Sequence, residues 1–176
     1  MSLVASMVPI AVTLRGVTPL LCSRLTPEPE DADAISAWEQ ARAKLYADED
    51  GHPMVPGMNL FRCLANAGRQ LGRASTELVH ALGIAEPAAR IQSSQSWAID
   101  SRAVRHPETG ERRVCHRPRF DDWHLDFTVL VDPELLPLVE VRVIADAAGQ
   151  RIGLGDFRPE RGGPFGRFAV TSWTLP

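Results

Sequence analysis

Two periods alternate along this chain. Ile10, Val12 and Leu14 recur every second residue in 8–14 and give a strand one apolar face. Arg15-Gly16-Val17-Thr18-Pro19-Leu20-Leu21 then turns the chain and buries a small apolar group. The proline- and acid-rich stretch 26–33 reads as a loop. It leads into a helix from about 34 to 46, in which Ile35, Trp38, Ala41, Arg42 and Leu45 recur at steps of three and four. Trp38 and Tyr46 are expected in the core rather than as base-stacking platforms. Residues 48–51 form a turn and 54–57 a short extended piece. A second helix over 58–71 buries Leu60, Phe61, Leu64, Ala65 and Leu71 and points Arg62, Arg69 and Arg73 away.

The second half reads more as strand. Residues 88–100 are strand-like, with Ile91, Trp97 and Ile99 among polar neighbours. Two basic arms follow, joined by the turn signal Pro107-Glu108-Thr109-Gly110, which predicts a projecting β-hairpin over 98–119. In 123–131 Trp123, Leu125, Phe127, Val129 and Val131 alternate on one side, opposite His124, Asp126 and Thr128. Asp132 and Pro133 suit a helix start, so 134–148 is expected to be helical and to end at Gly149. A glycine-rich loop over 151–168 and a strand over 165–175 close the chain. This order predicts an α+β fold of ferredoxin-like (RRM-like) type, an antiparallel sheet with helices on one face. The length of 176 residues suits one domain over 1–176. A sheet of this kind often offers one face to single-stranded nucleic acid.

Charge sharpens the picture because it is unevenly spread, although the net value is only −3. Eight acids lie between Glu28 and Asp50, against Arg42 and Lys44. Six arginines, Arg102, Arg105, Arg112, Arg113, Arg117 and Arg119, crowd the hairpin together with His106 and His116, against Glu108 and Glu111. Such polarity suits a polyanion, or copies of the chain meeting head to tail. Lys44 is the sole lysine, a bias that a GC-rich coding sequence also produces.

The glycine-rich loop holds five glycines and four arginines in eighteen positions, Arg151, Gly153, Gly155, Arg158, Arg161, Gly162, Gly163, Gly166 and Arg167. Bare backbone amides with guanidinium forks make a cradle for phosphate. Gly-Asp, Pro-Glu and Gly-Gly-Pro are also ordinary turn chemistry. The loop has no Gly-Lys-Ser/Thr, and Gly153-Leu154-Gly155 lacks a third glycine at dinucleotide spacing, so nucleoside triphosphates and nicotinamide cofactors are not expected. No cofactor and no metal is expected. Cys115-His116 has no second pair, and Asp48-Glu49-Asp50-Gly51 lacks the spacing of a calcium loop. Cys22, Cys63 and Cys115 suggest no disulfide framework and fit a reducing cytoplasm. Residues 1–10 do not read as a signal peptide, and no apolar run approaches the ~20 residues that cross a bilayer. No membrane partner is expected.

Two stretches resemble the RAMP superfamily, which supplies backbone subunits of CRISPR effector complexes. Leu14-Arg15-Gly16-Val17-Thr18-Pro19-Leu20-Leu21 is similar to the first-strand exit of such proteins. Gly153-Leu154-Gly155, with Gly162-Gly163-Pro164-Phe165-Gly166-Arg167-Phe168, is similar to their C-terminal glycine-rich loop. Similar sequences also occur in phage and prophage genes. The resemblance implies subunits stacked into a helical filament along RNA, with a basic hairpin thumb between nucleotides, here 102–117.

The leading expectation is therefore a non-catalytic subunit that binds single-stranded RNA or DNA, RNA above all. It would self-associate and meet other effector-complex subunits, with the acidic 28–50 face of one copy against the arginines of the next. Arg102, Arg105, Arg112, Arg113, Arg117 and Arg119 would hold the strand with the glycine-loop residues. One alternative is a phage structural or assembly protein. The other is a metal-independent ribonuclease with His116 or His124 as base and an arginine at the transition state. His52 and His80 read as structural or surface residues.

Overall fold

The computed structural model describes residues 7–26, 35–105 and 110–176. Its first half contains β1 (Val8–Gly16), β2 (Leu20–Leu21), α1 (Ala37–Ala43), β3 (Tyr46–Ala47), β4 (Pro53–Pro56), α2 (Gly57–Gln70), α3 (Ser75–Ala81) and β5 (Leu82–Ile84). The second half contains β6 (Ala88–Arg90), β7 (Ala98–Arg105), β8 (Arg112–Phe120), β9 (His124–Val131), α4 (Leu138–Ala147) and β10 (Phe168–Thr174). Of the expected acidic face, Glu28, Glu30, Asp31 and Asp33 lie outside the described residues, as does the hairpin turn 106–109.

Strict alternation builds the central sheet. It runs β10-β1-β9-β5, and every neighbouring pair is antiparallel. Ile10, Val12 and Leu14 of β1 share one face with Leu125, Phe127, Val129 and Val131 of β9, and all seven are buried. Against that face pack Leu60, Cys63, Leu64 and Ala67 of α2 and Val141, Ile144 and Ala145 of α4. Each buried leucine, isoleucine or valine here contributes about 1.5–3 kcal/mol by leaving water. With β1-α2-β5 and β9-α4-β10 as its two units, this is the ferredoxin-like α+β arrangement. Two small sheets are inserted into it, β2-β8-β7 and β3-β4-β6.

Several elements differ from what local pattern suggested. Helix α1 is shorter, because Ser36 and Glu39 close a capping box that starts it at Ala37. Only Ala41 of this helix is buried, and Trp38 is 48% exposed rather than in the core. Its ring stacks on Trp97 at 6.0 Å, with the Arg42 guanidinium 5.2 Å from its centre. Tyr46 is half-buried in β3. In α2 the buried stripe includes Cys63, Ala67 and Gly68, while Leu71 at its end is exposed. The stretch 88–100 divides into β6 and the start of β7. Helix α3 and strand β5, seven and three residues long, carry almost no period of their own.

Helix α4 begins at Leu138, not near 134, with Pro137 at its N-cap, because proline inside a helix clashes with the preceding turn. Asp132 instead caps a tight turn, accepting the Glu134 N–H at 3.0 Å. Gly149 does not stop the chain's helical path. It lies in a π-type turn, Ala148–Ile152, and Gly153 at φ +73° ends it. No helix among the described residues is long and apolar enough to cross a membrane.

Gly16 shows how tightly the first strand leaves the sheet. Trp123 is fully buried, accepts the Gly16 N–H at 2.8 Å on its carbonyl and donates its Nε1–H to the Thr18 carbonyl at 2.9 Å. A Cβ at position 16 would overlap the indole. Gly16→Ala therefore lowers stability by about 1–3 kcal/mol, as overpacking does. Urea unfolding followed by tryptophan fluorescence checks this, and an unchanged midpoint would contradict the packing described.

Candidate nucleic-acid interface

The basic arms do pair as a hairpin. Its register runs from Ala98 opposite Arg119 to Arg105 opposite Arg112. The base is held by β2, whose Leu20 and Leu21 pair with Phe120 and Arg119. Asp100 and Phe120 are buried there, whereas Arg105, Arg112 and Arg113 at the outer end are exposed. Alternation places Ser101, Ala103 and Arg105 on one face with His116, Val114 and Arg112, and Asp100 and Arg102 on the other with Arg117 and Cys115.

The hairpin and the glycine-rich loop lie side by side. Arg117, with a side chain only 12% exposed, places Nε 2.6 Å from Asp156 Oδ2. Arg102 lies with its guanidinium 4.7 Å from the centre of the Phe165 ring. The same contacts spend cations, for several hairpin and loop arginines have carboxylate partners. Arg102 grips Asp100 with Nε at 2.8 Å, and this hydrogen bond makes its guanidinium harder still to deprotonate. Arg119 meets Asp121 at 2.9 Å, Arg113 meets Glu111 at 3.7 Å, and Arg158 meets Glu160 at 2.7 Å. Arg167 donates to the Gln150 carbonyl. Arg105, Arg112, Arg151 and Arg161 make no side-chain hydrogen bond or ion pair to a described residue. Arg105 and Arg112 are moreover directly opposite one another, an arrangement of like charges that costs stability.

Much of the loop's backbone is already engaged within the fold. Gly153 donates its N–H to Ala148 at 2.8 Å, Gly163 to Arg158 at 3.0 Å and Gly166 to Pro19 at 2.8 Å. Leu154 donates to Gly166, Asp156 to Leu21 and Phe165 to Phe157. Glycine is needed for close packing. A Cβ at Gly155 would strike the Leu21 carbonyl, at Gly163 that of Phe157, and at Gly166 that of Leu154. Gly153, Gly155 and Gly166 also have φ near +70°, which disfavours any side chain.

What the loop does border is a cleft of about 330 Å³. It opens between the loop, the start of α2 and β4. Asn59, Arg62 and Asn66 line it from α2, and Arg158 and Arg161 from the loop. Arg62 was read only as a solvent-facing helix residue. Nothing in its local pattern marks the cleft, which exists because the loop folds back over α2. At the floor, Cys63 donates its S–H to the Gly153 carbonyl at 3.3 Å, and burial pushes its thiol far above the usual range.

The histidines and carboxylates fall elsewhere. His116 Nδ1 is 2.7 Å from Ser101 Oγ. Asp126 accepts from Thr13 at 2.6 Å and from Gln92 at 2.7 Å. Asp126 and Thr13 belong to the open face of the central sheet, where Ala11, Glu86, Thr128 and Ser172 also border a shallow depression. Its two carboxylates make this face unlike a platform for stacked bases. Asp48, Asp50 and His52 come together in the 48–51 turn, but Asp48 is engaged by Arg90 at 2.7 Å and by the N–H of His52 at 2.8 Å. Those contacts hold its carboxyl below the usual range, the His52 backbone N–H contributing most.

If the glycines serve packing, Gly155→Ala costs about 1–3 kcal/mol of stability through its positive φ and the Leu21 contact. Arg117→Ala costs a similar amount, about 1–3 kcal/mol, by leaving Asp156 without its partner. Chemical denaturation of both variants measures these losses. Wild-type midpoints would refute the packing role.

No protein-family model and no curated protein sequence matches the chain. The fold is similar to that of a chain in a solved structure described as the cryo-EM structure of the Type III-B Cmr-beta bound to cognate target RNA. The TM-score is 0.60 at 11% sequence identity, with 97% of this chain covered. The matched region amounts to 61% of that chain, so this protein spans about three fifths of its length. The similarity agrees with the ferredoxin-like α+β architecture built above.

Proposed function

We propose that this chain is a RAMP-like, non-catalytic RNA-binding subunit of a CRISPR-type effector assembly, folded as one domain over 1–176 and working in the cytoplasm. Its ligand is single-stranded RNA, which the end of the hairpin and the cleft beneath the glycine-rich loop hold by its phosphates. The observation that carries this reading is the Arg105–Arg112 pair. Two guanidinium groups opposite one another, without a described counter-ion, are stabilised when a polyanion lies between them. Arg62 and Arg161 extend the same charge into the cleft.

The arginines already held by carboxylates have another part. Arg102, Arg117 and Arg119 set the hairpin's base, and Arg158 sets the loop, so that the outer cations project from a rigid support. Repetition of this unit along a strand, as a homo-oligomeric filament with other effector subunits at its ends, is the assembly in which such a hairpin works. The similarity to a chain of an RNA-bound effector complex supports this reading at the level of fold.

Fluorescence anisotropy with a labelled 30-nucleotide RNA tests it. The affinity falls with salt, with a slope of about −0.7 for each phosphate neutralised. The double variant Arg105→Ala/Arg112→Ala binds roughly tenfold more weakly, the loss of about 1.4 kcal/mol. Unlabelled single-stranded DNA competes less well than RNA. No binding at low salt, or a double variant that binds like wild type, would overturn the proposal.

A further inference from the structure

Lys44 is the one lysine in a chain with eighteen arginines, and it sits where a covalent reaction is possible. It is the C-cap of α1, and its Nζ lies 2.9 Å from Cys115 Sγ and 2.9 Å from the His116 carbonyl. No described carboxylate pairs with it. An arginine would satisfy a carbonyl and carry the same charge. An amine differs in one respect that matters here, since after losing a proton it is a nucleophile, which guanidinium is not.

The three thiols are also unlike one another. Cys22 and Cys63 are buried, and loss of solvent pushes Cys22 up to about 12 and Cys63 further, so neither is ionised near neutral pH. Cys115 is half-buried on β8, within reach of a small oxidant. The amine and the sulfur are thus held at contact before any chemistry occurs, and proximity of this kind converts a slow bimolecular step into a unimolecular one.

We propose that Lys44 and Cys115 form a redox-controlled covalent link between α1 and the hairpin, closed by a peroxide-class oxidant as a sulfenamide. In the first step the Cys115 thiolate attacks one peroxide oxygen. The O–O bond breaks, the sulfur is oxidised to sulfenic acid, and with one proton taken up the other oxygen leaves as water. In the second step Lys44 Nζ, having given one proton to solvent, attacks that sulfur. The S–O bond breaks as the S–N bond forms, and the hydroxyl departs with a second amine proton as water. The product joins residues 71 positions apart and pins β8 to the end of α1. Thiol reductants reopen it. This inference is independent of RNA binding.

The test is peroxide treatment of the intact protein at neutral pH, followed by alkylation, digestion and mass spectrometry. The expected product is a Lys44 peptide joined to a Cys115 peptide, lighter than their sum by about two hydrogens and separated again by dithiothreitol. Cys22 and Cys63 are recovered as free thiols after unfolding. Lys44→Arg keeps the charge and gives no linked peptide, and Cys115 there proceeds to sulfinic acid. Should that variant not fold, reductive dimethylation of Lys44 in the wild-type protein blocks the amine instead. An unlinked Cys115 in oxidised wild-type protein, whether free thiol, sulfinic or sulfonic acid, would overturn the proposal, as would a link to any other residue.

Discussion

Six residues, Gly16 to Leu21, join the central sheet, the hairpin and the glycine-rich loop. Gly16 lies against the buried Trp123 and donates to its carbonyl, while Thr18 accepts the indole N–H. Val17 donates to Arg167, Pro19 accepts from Gly166 and Leu21 from Asp156, so the glycine-rich loop is sewn to this segment by its backbone. Leu20 and Leu21 then pair with β8 and form the third strand beneath the hairpin. One short segment therefore fixes sheet, hairpin and loop relative to one another. These backbone groups are paired because buried amides and carbonyls without partners are costly.

This constraint explains why the two basic segments lie side by side. The hairpin's base and the loop are tied by Arg117 to Asp156 and by Arg102 over Phe165. Such contacts withdraw arginines from solvent, yet they give the outer ones a rigid mounting. The hairpin and loop arginines without a described partner lie at the hairpin's end and around the glycine-rich loop, Arg161 at the cleft beside α2. The open face of the central sheet bears Asp126 and Glu86.

The strands of the ferredoxin-like core were legible where one face is buried and the other wet. Alternation at Ile10, Val12 and Leu14, and at Leu125 to Val131, corresponds to the buried faces of β1 and β9. The hairpin was legible from its turn signal and basic arms. Trp38 was misread because helical spacing reports only that a face is apolar. It does not reveal that α1 lies beside the small hairpin sheet, where a tryptophan stays half in water. Helix α4 was overextended because Asp132-Pro133 looks the same whether it begins a helix or a turn.

Sequence alone determined the fold class and the clustering of arginines, since these follow from local period and charge. Tertiary structure decided what the glycines are for and which arginines remain available. Both depend on partners far away along the chain, Leu21 against Gly155 and Asp156 against Arg117, and a contact between distant residues leaves no local signature.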